Sequence, residues 1–215
     1  LGLVGDTAQE IFGWLGCRNA IATANLPNKG RLSTSFRFGP AVATVANGIL
    51  AKAGYDMHIT GAGPASVVGP IAEPAAILCR TNATAVETLL QAQAAGRKPA
   101  LVGGAKDVLS FARAARDLQT EGRTYHPELA CFESWGEVVD YTQNDPSGSE
   151  IALMVKLVDT YGVDAIERGL ARAPSVDEAD VVVGTAHAVK GRQWSSVQLA
   201  GDFKVNPGED VDAEN

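Results

Sequence analysis

The sequence is poor in cysteine, in aromatic side chains and in long apolar runs. Its three cysteines are widely spaced and form no CxxC pair or Cys/His cluster, so we interpret them as reduced thiols in a cytosolic setting. No apolar run is long enough to cross a bilayer, and no signal peptide is recognisable. We therefore expect a protein without membrane contact, located in the cytoplasm or, in a eukaryote, in the nucleus.

Two further features are missing: an excess of positive charge and a phosphate-binding loop. The formal net charge is -7, which argues against a wholly basic nucleic-acid surface but is compatible with a local basic groove. The pattern GxxxxGK followed by Ser or Thr does not occur, and the glycine-rich run GAGPASVVGP at 61–70 does not match it. The chain therefore has no loop of its own for the β and γ phosphates of a nucleotide.

The composition present is that of a globular α/β protein. Hydrophobic residues make up 46% of the 215 residues and charged residues 20%, which suffices for a sizeable core. Apolar periodicity alternates between strand and helix, as in a parallel sheet. Strands are predicted at 1–4, 32–35, 75–79, 99–102, 181–183 and from 197, and helices at 18–24, 41–53, 83–95 and 106–119. A flexible connection is predicted at 55–74, and helices at 135–141, 150–161 and 164–173 form an all-helical insertion.

Residues 181–203 are the stretch least explained by packing. The valines at 181–183 predict a buried strand, and a polar loop with Thr185, His187 and Lys190 follows it. An open α/β sheet binds its ligands at the carboxyl ends of its strands. The stretch is therefore a candidate binding site, although a polar connection with an exposed histidine and lysine explains the pattern equally well.

Several stretches together resemble one family. Five stretches occur in the order and approximate spacing found in the UvrD/Rep group of superfamily 1 DNA helicases. They are VGDTAQEIFGW, LSTSFRFGPAVATVANGIL, AAILCRTNATAVETLL, LVGG, and GTAHAVKGRQW followed by LAGDF. The SFRFG sequence and the compact insertion are most similar to the F-box DNA helicase branch. This resemblance implies a RecA-like, P-loop NTPase-type parallel sheet with an all-helical insertion.

The resemblance also implies a division of the chain. Residues 1–25 would end the first RecA-like domain, 26–126 and 176–215 would form the second, and 127–175 would be the insertion. We therefore expect a fragment of an ATP-dependent helicase that moves 3' to 5' on single-stranded DNA and unwinds duplexes. The fragment alone is expected to be inactive, because the Walker motif and the Mg²⁺ ligands would lie in the missing remainder of the motor.

Three residues are implied to act on ATP. Gln9 matches the glutamine that senses the γ phosphate, and Arg37 matches the arginine that the second domain directs at it. A guanidinium fork suits a phosphate better than an ammonium does, and charge develops there during phosphoryl transfer. Gln193 takes the place of a glutamate near the nucleotide, and its amide can still bond a ribose hydroxyl.

Eight residues are implied to contact single-stranded DNA, which requires stacking faces and backbone donors. Trp14 matches a base-stacking tryptophan, and Phe12 precedes it in the position of a second aromatic. The others match residues near the DNA backbone: Arg80, Asn82, Lys106, Thr185, His187 and Lys190. Asn82 is equally well explained as the cap of the following helix, a role for which its neighbour Thr81 is the other candidate.

Departures from the family pattern leave two alternatives open. Leu15 stands where an arginine is usual, Gln193 replaces the glutamate, and Asp107 replaces an aromatic. These changes suit a degenerate, non-catalytic helicase-like module that binds DNA or a protein. The second alternative is an unrelated α/β enzyme that uses His187 with Asp202 or Lys190 as acid or base.

Overall fold

The computed structural model describes residues 5, 6, 8, 28, 30–145 and 149–203. The chain divides into two compact units, with the boundary between Pro70 and Ile71. The strand predicted at 1–4 and the helix predicted at 18–24 lie outside the described residues, so they stay predictions.

The described residues of the first unit form one helix between two short parallel strands. Helix α1, Pro40–Lys52, confirms the helix predicted at 41–53, with proline in its first turn. The proline fixes a helical φ where no amide donor is needed. Beyond the helix, Gly54 has a φ of +75°, which favours glycine and ends the helix as predicted.

The two strands of this unit correct one prediction. Strand β1, Thr34–Ser35, pairs in parallel with β2, Thr60–Gly61, whereas 55–74 was predicted to be a flexible connection. The side chain of Asn47 on α1 accepts a hydrogen bond from the Ile59 amide at 2.8 Å and donates to its carbonyl at 2.9 Å. This pair of long-range bonds orders a segment whose composition indicates a loop.

The second unit is built on a parallel sheet. The sheet has four strands: β3 (Ala76–Cys79), β4 (Pro99–Val102), β5 (Val181–Thr185) and β6 (Val197–Leu199). Their order across the sheet is β4-β5-β3-β6. All three pairings are parallel, and every residue of β5 is buried. The predicted mixed α/β architecture is therefore confirmed, and the valine run does form a strand covered on both faces.

The helices of this unit share one core. Two helices precede the helical region: α2, Asn82–Ala94, and α3, Ala105–Glu121. The helical region contains α4, Trp135–Asn144, α5, Ser149–Tyr161, and α6, Val163–Ala171. A 3₁₀ turn at Val176–Glu178 follows it. All were predicted as helices except the 3₁₀ turn, and α4 runs on to Asn144 beyond the predicted end. Phe111 of α3 is buried with Val138, Val158 and Ile166 of the three later helices. In the described part of the chain, no helix is long and apolar enough to cross a membrane.

Candidate nucleic-acid interface

Four loops of the second unit meet at one edge of the sheet. Because β3, β4, β5 and β6 are parallel, the segments that follow them all leave from the carboxyl edge. Most of the predicted DNA-contacting residues lie here: Arg80 and Asn82 after β3, Lys106 after β4, and Thr185, His187 and Lys190 at and after β5. The topology therefore brings together residues that are far apart in sequence.

Asp202 fastens the loop after β3 to the loop after β6. Its Oδ2 accepts hydrogen bonds from the Arg80 amide at 2.9 Å and from the Thr81 amide at 3.1 Å. The other oxygen, Oδ1, is buried and has no hydrogen-bond partner among the described residues. Sequence reasoning considered Asp202 only as an acid or base, and missed this role in holding the backbone of Arg80.

Replacing Asp202 by alanine is expected to loosen the loop after β3. Hydrogen bonds to a charged acceptor contribute about 1.5–3 kcal/mol each, so the Arg80 and Thr81 amides should exchange with solvent at least tenfold faster. Native-state hydrogen exchange measures both amides directly. Asp202→Asn keeps one acceptor oxygen and should lose less protection, and unchanged exchange in Asp202→Ala would contradict the assigned contact.

The loops after β3 and β4 are packed against each other. The side-chain nitrogen of Asn82, Nδ2, donates to Asp107 Oδ2 at 3.5 Å. Gly104 has a φ of +74°, and a Cβ placed on it would lie 2.4 Å from Asn82 Oδ1. The side chain that caps α2 is that of Thr81, which accepts from the Thr84 amide at 3.2 Å. Asn82 is therefore not the cap, and its side chain faces the loop that carries Lys106.

The loop after β5 is a compact turn held by Thr185. The Thr185 side chain is buried, and its hydroxyl accepts a hydrogen bond from the Ala188 amide at 3.3 Å. His187 and Lys190, by contrast, are exposed. The turn thus presents an imidazole and an ammonium at the edge, while Thr185 shapes the backbone between them. Direct contact of Thr185 with DNA stays a prediction.

A buried thiol lies at the end of β3. The pKa of the Cys79 thiol is raised to about 11, chiefly by burial. A hydrogen bond with Thr88 lowers the pKa and so offsets part of this rise, whereas the negative charge of Asp202 adds to it. The thiol is therefore protonated near neutral pH and is not an activated nucleophile.

The residues implied to bind ATP are only partly described. Arg37 is exposed in the first unit and Gln193 is exposed in the second. Phe36, beside Arg37, is also exposed, at 75%. Gln9, Phe12 and Trp14 lie outside the described residues, and their roles stay predictions.

The geometry gives little support to the acid–base alternative with His187. Asp202 Oδ2 is engaged by two backbone amides. The groove of about 530 Å³ along residues 106–117 and 124–127 does not include His187, Lys190 or Asp202.

Comparison with known proteins identifies relatives along nearly the whole chain. F-box DNA helicase protein 1 of Schizosaccharomyces pombe is 28% identical over 229 residues, which cover 94% of this chain and 26% of that protein. F-box DNA helicase 1 of Gallus gallus is 25% identical over 226 residues, which cover 94% of this chain and 22% of that protein. The chain thus spans about a quarter of the length of these curated relatives. No family model and no solved structure matches it. The resemblance predicted from the sequence motifs is confirmed: the chain is similar to these two F-box DNA helicases over nearly its whole length.

Proposed function

We propose that this chain is part of an ATP-dependent DNA helicase with a RecA-like motor, and that its second unit binds single-stranded DNA across the carboxyl edge of its sheet. The proposal is supported by the two relatives, both named DNA helicases, and by the order of the sequence motifs. Translocation from 3' to 5' is part of the proposal and follows from the family resemblance alone.

One observation carries the proposed DNA site: positive charge is concentrated at this edge of an acidic chain. Among the described residues of this edge, Arg80, Lys106, Lys190 and Arg192 are all exposed. The carboxylates described there are Asp107, which is exposed, and Asp202, which is half-buried and bonded to backbone amides. The chain as a whole has a net charge of -7. Four cations drawn from three loops suit a phosphate backbone, which binds without sequence preference through such contacts.

The roles at this edge follow from side-chain chemistry. Arg80 and Lys190 would donate hydrogen bonds to phosphate oxygens of the DNA, and the His187 imidazole would donate one to the DNA backbone. Asp202 would act indirectly, because it holds the backbone from which Arg80 projects. Phe12 and Trp14 would supply stacking faces, as the resemblance implies.

ATP and Mg²⁺ would act in the complete motor. Gln9, Arg37 and Gln193 are the proposed nucleotide contacts, and Arg37 is exposed as that role requires. The sequence contains no phosphate loop, and the described residues contain no cluster of three or more side chains suited to a metal. We therefore expect no ATP hydrolysis by the 215-residue chain alone.

The salt dependence of DNA binding tests the proposed site. Binding of oligothymidylate to the chain is expected to weaken linearly on a log–log plot against salt, and Lys190→Ala should reduce the slope by about 0.7. Lys98→Ala is the matched control, because Lys98 is an exposed lysine at the opposite end of the sheet, directly before β4. Fluorescence anisotropy across a salt series measures both. Equal slopes for the two variants would contradict the assignment of this edge.

A non-catalytic DNA-binding module is the second candidate. Asp107 lies at the proposed DNA edge close to Asn82, where its charge opposes a phosphate backbone, and Gln193 lacks the carboxylate usual in the family. Both candidates predict DNA binding by the carboxyl edge. They differ in ATP turnover by the complete motor.

A further inference from the structure

A groove in the second unit runs along α3, away from the carboxyl edge. Its volume is about 530 Å³, and its lining includes Lys106, Leu109 and Arg113 on one side and Tyr125 and Pro127 on the other. This volume lies in the range of small-ligand sites, roughly 300–1,000 Å³. Lys106 belongs both to the groove and to the loop after β4, so the groove begins where the proposed DNA edge ends.

Tyr125 is the feature of the groove that packing does not explain. Its side chain is 92% exposed, in a chain with only 6% aromatic residues. An exposed aromatic ring beside a groove that also carries cationic side chains is the residue type on which nucleobases stack, because every base has a π face.

The wall that carries Tyr125 is held in place. The His126 ring packs edge-on against buried Phe111 with centroids 5.7 Å apart, and its Nδ1 accepts from the Glu128 amide at 3.3 Å. The His126 carbonyl accepts from the Leu129 amide at 2.9 Å, and Leu129 is fully buried. The backbone beside Tyr125 is therefore ordered before any ligand arrives, which lowers the entropy lost on binding.

The opposite wall offers positive charge at a regular spacing. Lys106 and Arg113 lie two helical turns apart, about 10.5 Å along the axis, a distance that matches about three stacked nucleotides at roughly 3.4 Å each. Arg113 donates from Nε to Glu167 at 2.7 Å, yet its side chain is 63% exposed. Asp117 also lines the groove, one turn beyond Arg113, so negative charge marks its far end.

We propose that this groove continues the single-strand path, with one base stacked on Tyr125 and with Lys106 and Arg113 bound to phosphates about three nucleotides apart. This inference rests on the proposed function, because it extends the DNA site of the carboxyl edge by about three nucleotides. The ligand class is single-stranded nucleic acid bound without sequence preference.

The test compares two oligothymidylates, one of about four nucleotides and one of about 16, which bracket the site sizes of single-strand binding folds. Loss of one stacked base costs about five- to 150-fold in affinity, so Tyr125→Ala in the 215-residue chain should weaken binding of the long oligonucleotide by that factor. The short one can be held by the carboxyl edge alone and should bind almost unchanged. Tyr125→Phe keeps the ring and should bind like the unmodified chain.

Controls separate the two proposals. Tyr55→Ala removes a partly exposed tyrosine of the first unit and should leave both affinities unchanged. If Tyr125→Ala binds both oligonucleotides as tightly as the unmodified chain, the groove proposal is overturned while the carboxyl edge stands. If the unmodified chain binds neither oligonucleotide, both proposals are overturned.

Discussion

Replacing Arg37 by alanine is expected to lower DNA-stimulated ATP turnover of the complete motor by about 10³-fold or more, the range in which an arginine directed at the γ phosphate accelerates phosphoryl transfer. The guanidinium would neutralise charge that develops on the transferred group. Because the effect belongs to the transition state, kcat should fall far more than KM rises. Steady-state kinetics with saturating single-stranded DNA measures the two constants separately.

Two other variants make this result specific. Arg37→Lys keeps the charge but loses the planar fork, so it should restore only part of the turnover. Arg31→Ala is the matched control in the same unit: Arg31 is also exposed and donates to Asp56 at 3.3 Å. It should turn over ATP at the unmodified rate. Full activity in Arg37→Ala would rule out the proposed role.

Replacing Phe111 by alanine is expected to destabilise the second unit by about 3–5 kcal/mol, the usual cost of removing a buried phenylalanine. Phe111 is 2% exposed and packs edge-on against both His126 and Trp135, at centroid distances of 5.7 and 6.3 Å. Its removal leaves a cavity between α3 and the helical region. Hydrogen exchange of the α3 amides measures the free energy of opening within this unit.

The control for this variant is an exposed phenylalanine. Phe36 is 75% exposed, and an exposed substitution usually changes stability by less than about 0.5 kcal/mol. Phe36→Ala should therefore leave exchange in α3 unchanged. A similar small effect of Phe111→Ala would show that the helical region does not share a core with α3.

The second unit was predictable from sequence because its elements are long and periodic. The apolar repeat gave α2 and α3 to within two residues, and the valines at 181–183 predicted the most buried strand. The helix and strand predictions needed no knowledge of side-chain packing. Arg80, His187 and Lys190 were named by the family resemblance, and the parallel pairing of β3 with β5 brings them to one edge.

The features that sequence missed depend on contacts between distant segments. Strand β2 is two residues long and is ordered by Asn47, which no local pattern reveals. Asp202 acts through backbone amides of residues that precede it by more than a hundred positions. The exposure of Tyr125 depends on how α3 packs against residues 124–127, and an isolated tyrosine carries no signal of it.

ATP hydrolysis by the complete motor, measured with and without single-stranded DNA, decides whether this chain is part of a DNA-dependent ATP motor. Turnover is expected to rise when single-stranded DNA is added, and to rise less in His187→Ala, because His187 lies at the proposed DNA edge. If the complete motor binds DNA but hydrolyses no ATP, the motor account is contradicted and the non-catalytic module takes its place.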